Sequence, residues 1–409
     1  MIPPGSIPPA PIVPAPIGDV AVARRVSALS VAAPYALPTR GFRSSVIRLV
    51  SGAPAPEALP LDDFGRTAAE LFADAGTGAA ALAYGPHAGQ PALRDWIAGR
   101  EGVDLSSVLV TNGALHGVAL AFGALLEQGD VVVLDDPVFP DTVRIAEQYG
   151  ARVLPVRVGP EGIDVQRIED HLLAGVRIRI VYTVADFHNP SGGVLPAKER
   201  ARLVELAEQY GFVIVSDNPY RDTTFDGSYV EDFATGSPRV IKVGTFTKTL
   251  GAGLRLGWVI APVGLLGHLE NLRRRTDFHS STLSQELILP LLNQPGWFDN
   301  LLVHNRSVHR AKAEVFVDAL RAELIGDLQF TAPAGGFFVW ARLADHAPAA
   351  SDVVTAAAER DLLLTSGRHF APDGGSQWDR HLRFAFSAPT LSELPVAVGR
   401  LRAALDACR

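Results

Sequence analysis

Four lysines, Lys198, Lys242, Lys248 and Lys312, stand among 37 basic residues, and all the others are arginine. An amine that attacks a carbonyl must first lose its proton, which burial or nearby cations favour. Covalent amine chemistry in this chain therefore has four candidates. Lys248 stands apart from the other three. It lies in the run Gly244-Thr-Phe-Thr-Lys248-Thr-Leu-Gly-Ala-Gly-Leu-Arg255-Leu-Gly257, rich in hydroxyls and glycine amides. Hydroxyls, free amides and a guanidinium are what a phosphate group needs. The spacing does not fit the Gly-x-x-x-x-Gly-Lys-Ser/Thr phosphate loop, which excludes an ATPase of that kind. Lys198 falls in the first turn of a solvated helix and Lys312 on a long amphipathic stretch. Lys242 sits inside an apolar run, where its charge requires a carboxylate or the open end of the strand.

Other chemistry-bearing residues also follow apolar runs. Thr111-Asn112-Gly113-Ala114-Leu115-His116 opens a helix, and its glycine either makes a tight turn or brings free amides to an anion. Asp135-Asp-Pro-Val-Phe139-Pro offers an aromatic that either covers surface or stacks on a flat ring. Asp186-Phe-His188-Asn189-Pro-Ser-Gly192 is turn chemistry with Asn189 as a polar ligand donor. Asp217-Asn-Pro-Tyr220 places a carboxylate at the edge of a buried region, where it needs a partner. A metal ion, a helix terminus or a cationic heterocycle would each serve.

The elements that must position these residues form a regular pattern. Apolar runs at 108–111, 131–134, 152–156, 178–183, 212–216, 240–243 and 257–260 alternate with helix-period segments, clearest at 196–210. Such alternation gives an α/β fold with a mostly parallel seven-stranded sheet covered on both faces. The last strand is expected to be antiparallel because its link is short. Ligands in such folds bind at the carboxyl ends of strands, where every loop above falls. After residue 290 the pattern changes to a smaller α+β domain. We divide the chain into a Pro-rich arm (1–45), a small domain (46–75 and 291–409) and a large ligand-binding domain (76–290).

Composition narrows the function further. The 409 residues, 47% hydrophobic and 20% charged, suit a soluble protein of two or three domains. A net charge of −7 argues against a nucleic-acid partner. The single cysteine, Cys408, excludes an internal disulfide and a four-cysteine zinc site, and no metal is expected. Neither a signal peptide nor an uncharged apolar run of membrane-spanning length is present, so a cytoplasmic protein without membrane contact is expected.

In order, Asn189-Pro-Ser-Gly192, Asp217-x-Pro-Tyr220, Thr245-x-Thr-Lys248 and Gly253-x-Arg255-x-Gly257 resemble the fold-type I pyridoxal-phosphate enzymes, specifically the class I/II aminotransferase family. The resemblance runs over about residues 49–401 and implies an aspartate-aminotransferase-like architecture with pyridoxal 5'-phosphate as cofactor. It implies that Lys248 forms the internal aldimine and then moves the Cα proton of an amino-acid substrate through a quinonoid. It gives Asp217 to the pyridinium nitrogen, Asn189 and Tyr220 to the phenolic oxygen, and Phe139 to the ring face. Gly113, Ala114, Thr245, Thr247 and Arg255 would hold the phosphate. Tyr84, in Tyr84-Gly-Pro-His-Ala-Gly89, matches the tyrosine that reaches the neighbouring subunit's phosphate, implying a homodimer with shared active sites. Arg383, in Leu382-Arg-Phe384, matches the clamp for the substrate carboxylate, assisted by Asn189. Ala114-Leu115 departs from the family, which often carries hydroxyl or amide side chains there, and costs one phosphate contact.

The expected reaction is transamination between an amino acid and a 2-oxo acid. The alternative is another reaction of the same cofactor: β-elimination, decarboxylation, oxidation or carbon–carbon bond formation. A non-enzymatic regulator is the remote alternative, because the segment before residue 46 is too Pro-rich for a winged helix. His116 and His188 are placed near the cofactor loops, and Arg40, Arg43 and His279 near the entrance; a structural role is the default for each.

Overall fold

The computed structural model describes residues 45–234 and 236–409. The expected Pro-rich arm, all but its last residue, and with it Arg40 and Arg43, lies outside the described residues. The described chain enters through β1 (Ile47–Arg48).

The large sheet contains β2 (Val108–Thr111), β3 (Val131–Asp136), β4 (Arg152–Gly159), β5 (Gly162–Ile163), β6 (Ile178–Thr183), β7 (Val213–Asp217), β8 (Val240–Thr245) and β9 (Gly257–Ile260). Their spatial order is β2-β9-β8-β7-β6-β3-β4-β5, so the expected seven strands become eight. The extra strand, β5, folds back on β4 as a hairpin, Val158 facing Ile163 and Gly159 facing Gly162. Two residues are too few to make an apolar run, which is why periodicity did not reveal it. β4, β3, β6, β7 and β8 run parallel, and β9 is antiparallel to both β2 and β8. The segment between β8 and β9 holds no crossover helix, and a strand that returns without one must reverse direction. β2, β7, β8 and β9 are buried along their whole length because helices cover both faces. The helix Ala197–Tyr210 shows the local logic. Pro196 precedes its first turn, and Gly211 ends it in the left-handed region at φ 83°, donating back to the Ala207 carbonyl.

The second sheet is antiparallel: β10 (Leu328–Phe330), β11 (Phe338–Leu343), β13 (Thr365–Ser366) and β14 (His381–Ala385), in the order β10-β11-β14-β13. β12 (Leu362–Leu363) pairs in parallel with β1. Residues 46–75 are shared between the two parts of the molecule. β1 joins the second part, whereas the helix Leu61–Ala73 lies on the helix Thr282–Leu292. Its Phe64 packs against the core around β2 and β9.

The 28-residue helix Trp297–Leu324 serves both parts. Phe298, Leu301 and Leu302 enter the core around β2 and β9, while Ala313, Phe316, Val317 and Leu320 enter the core of the second sheet. Between them, buried Asn305, His309 and Lys312 form a polar rung. No helix among the described residues is long and apolar enough to cross a membrane.

Candidate active site

Two of the sheet's strands end on site residues. Asp217 is the last residue of β7 and Thr245 the last of β8, adjacent parallel strands. Beyond these ends lies a cavity of about 300 Å³. It is lined by Ala114, Phe139, Asn189, Asp217, Tyr220, Thr245, Thr247, Lys248 and Arg255, nine residues singled out from the sequence. Ser51, Gly52, Leu115, Tyr182, Val184 and Phe338 complete much of the wall.

One end of the cavity gathers anion-binding groups. Gly113 turns the chain at φ 80° into the helix Ala114–Leu125 and leaves that helix's first amides open. The positive φ favours glycine here, and a Cβ on Gly113 would lie 2.9 Å from Arg255 Nη2, so a larger residue would also displace the guanidinium. Arg255 Nη2 donates to the Asn112 carbonyl at 2.9 Å. The Thr245 hydroxyl lies 2.8 Å from that of Thr247 and accepts from the Thr247 amide at 3.1 Å. The guanidinium thus lies against the helix start, and the hydroxyls line the same cavity.

At the centre, Asp217 is buried. Its Oδ2 accepts from the Tyr182 hydroxyl at 2.8 Å, while its Oδ1 has no hydrogen-bond partner. Burial pushes its carboxyl up to about 6, against the pull of the Tyr182 hydrogen bond and the Lys248 charge and with the push of Asp135. Lys248 Nζ donates to the Gly52 carbonyl at 2.8 Å and lies 5.3 Å from the centre of the Tyr220 ring. Burial lowers the amine to about 8. Asp217 opposes that shift, and Arg383 and Arg255 add to it. Tyr220 stands edge-on to Phe337 and Phe338, which fixes its plane.

At the other end, Arg383 is fully buried beside the cavity rather than on its wall. Its Nη1 donates to Asn189 Oδ1 at 3.1 Å, its Nη2 donates to the Val50 carbonyl, and its guanidinium stacks over Phe338 at 4.6 Å. The segment after β1 thus runs across the site. Its carbonyls at Val50, Gly52 and Ala53 accept from Arg383, Lys248 and Ser387. Its Ala55 amide donates to His309 and its Glu57 meets Lys312 at 2.7 Å. A Cβ at Gly52 would lie 2.6 Å from the Phe338 ring, so the strap's close approach depends on that glycine.

The remaining candidates lie elsewhere. Tyr84 is 88% exposed, with its ring edge-on to Phe278 and His279. His279 accepts from the Gly85 amide and does not line the cavity. His116 accepts from the Asn112 amide and lies 3.5 Å from Asp277. His188 is buried beneath the site, 2.8 Å from the Ser191 hydroxyl and 3.3 Å from Asp135. Both histidines brace loops rather than line the cavity. Sequence reasoning missed Tyr182, hidden inside an apolar run, and the strap at 50–53, whose contacts join residues some 200 to 330 positions apart.

Comparison with known proteins adds the following. A family model described as "Aminotransferase class I and II" matches residues 44–401. The 2-aminoadipate transaminase of Thermus thermophilus is 31% identical over 89% of this chain and 91% of its own length. Aromatic-amino-acid aminotransferase 1 of Thermococcus litoralis is 31% identical over 73% of this chain and 74% of its own. Among solved structures, alpha-aminoadipate aminotransferase from Thermus thermophilus, complexed with N-(5'-phosphopyridoxyl)-L-leucine, superposes with a TM-score of 0.84. It is 30% identical, covering 89% of this chain and 93% of that one.

Proposed function

The chain belongs to the class I and II aminotransferase family, and from that premise we propose how its own residues carry the reaction. It is a pyridoxal-phosphate-dependent aminotransferase acting on an amino acid and a 2-oxo acid. The residues present fit the cofactor. The observation that carries this reading is the buried, unpartnered Oδ1 of Asp217, lining the same cavity as Lys248 and Arg255. A buried carboxylate oxygen without a partner is costly unless a donor arrives, and a protonated ring nitrogen is such a donor.

When bound, pyridoxal phosphate supplies an aldehyde that takes an amine and a heterocycle that accepts electron density. Gly113 and Ala114 through their backbone, and Thr245, Thr247 and Arg255 through side chains, hold the phosphate. Asp217 pairs with the ring nitrogen, Asn189 and Tyr220 hold the phenolic oxygen, and Phe139 covers a ring face. With its amine at about 8, Lys248 is neutral in about a tenth of molecules at pH 7. That is enough neutral amine to attack a carbonyl and to take and return the proton at the substrate Cα. Arg383 offers its planar fork to the substrate carboxylate once the Val50 carbonyl yields its place.

The reading extends to a homodimer in which Tyr84 reaches the partner's phosphate site. Its support is an exposed apolar and aromatic ridge of Leu82, Tyr84 and Phe278. We place the enzyme in the cytoplasm without nucleic-acid or membrane partners, a reading supported by its −7 charge and single cysteine.

The test follows the absorbance of the cofactor-loaded enzyme as 2-aminoadipate, aromatic and branched amino acids are added in turn. Conversion to the pyridoxamine form by at least one, reversed by a 2-oxo acid, is expected. A protein that binds no pyridoxal phosphate would overturn the reading.

A further inference from the structure

We propose that Tyr182 is a positioning residue: its phenol holds one oxygen of Asp217 so that the other faces the ring nitrogen of the cofactor. The inference rests on the function proposed above and adds a member to its site. Tyr182 lies in β6 opposite Val215 of β7, two residues before Asp217, and is fully buried. Its hydroxyl donates to Asp217 Oδ2 at 2.8 Å, leaving Oδ1 as the carboxylate's open atom. Its ring stands edge-on to Phe122 at 6.2 Å, which keeps the phenol from swinging away. Burial and the Asp217 charge push the phenol's ionisation well up, so the group stays a donor.

The surroundings explain why a donor is wanted there. Asp217 faces Lys248 from the loop after β8, Tyr182 from β6, and Asp135 from β3, which is itself 3.3 Å from His188. Burial and Asp135 favour protonation of Asp217, while Tyr182 and Lys248 oppose it. The Tyr182 hydrogen bond favours the carboxylate whatever the charge on the Lys248 nitrogen, so an anionic partner would stay available to the ring.

The experiment measures equilibrium binding of pyridoxal phosphate to the apoprotein from pH 5 to pH 9, with thermal unfolding of the apoprotein as a folding check. Tyr182→Phe keeps the ring and its packing and removes only the hydroxyl. Its affinity should fall about tenfold near pH 8, and the acid limb of binding should move up by about one pH unit. In an Asp217→Asn background the same change should add no further loss, because the interaction it removes is already gone. Should Tyr182→Phe fail to fold, 3-fluorotyrosine placed at position 182 keeps the shape with a stronger donor and should move the acid limb down. Wild-type affinity and an unmoved limb in the folded Tyr182→Phe protein, or an unmoved limb with the fluorotyrosine, would overturn the proposal. So would full additivity with Asp217→Asn. A wild-type protein that binds no pyridoxal phosphate refutes the proposed function instead, so the two failures are distinguishable.

Discussion

Lys242 and Lys248 stand six residues apart, one inside β8 and the other just beyond it. Each lines a cavity, of about 320 and 300 Å³, and Pro219 and Thr245 form part of both walls. In its chamber Lys242 Nζ meets Glu101 at 2.8 Å and Asp232 at 2.7 Å, and Asp232 also takes Arg221 at 2.7 Å. Burial works against the Lys242 charge, but the two carboxylates more than offset it and hold the amine above its ordinary range. Lys248 is half-buried, yet its hydrogen bond goes to a carbonyl, and its amine falls to about 8. Burial acts on both amines, so burial alone does not make a reactive amine. What separates them is whether carboxylates touch the nitrogen. Asp217 acts on Lys248 through its charge, without a hydrogen bond to the nitrogen; its one hydrogen-bonded oxygen is held by Tyr182.

The contrast can be broken at either lysine. Lys248→Ala should cost about a thousandfold or more in transamination rate. It should also abolish the borohydride-stabilised attachment of cofactor, read by mass spectrometry of the 248 peptide. Attachment surviving at Lys242 would erase the distinction. Lys242→Met should leave that attachment in place but deprive the half-buried Glu101 of its cation while Asp232 keeps Arg221, with a loss of roughly 1–3 kcal/mol in denaturant unfolding. An unchanged unfolding midpoint would show the Lys242 chamber to be solvated. The mildest probe is pH. Lys248 gains its neutral form as pH rises, so cofactor attachment to apoprotein should climb about tenfold between pH 6 and 7 and level off above about 8. A rate still climbing tenfold between pH 9 and 10 would return Lys248 to ordinary lysine behaviour.

Much of this contrast could be read before any coordinates. The loops after strands carry side chains whose types announce themselves, and Asn189, Asp217, Tyr220, Lys248 and Arg255 do share one cavity. Of the two expected ways to accommodate Lys242, a carboxylate or the open end of its strand, the first is present twice over. Other features are products of tertiary approach. Tyr182 reads as one more apolar strand residue until β6 and β7 are in register. The strap after β1 contributes carbonyls, which every residue has, so no residue type marks it. Lys312 looks like one charge on an amphipathic helix. It is buried because Ser387, Pro389 and Glu57 come to it from both ends of the described chain.

The helix Trp297–Leu324 has a thermodynamic consequence. Its first turns lie in one hydrophobic core and its last turns in another, with Asn305 tied to the Thr249 carbonyl beside Lys248. Neither core can melt without exposing apolar surface on a rod that the other still holds. The two sheets should therefore denature together, in a single cooperative transition, and the residue after Lys248 is hydrogen-bonded to the spar that couples them.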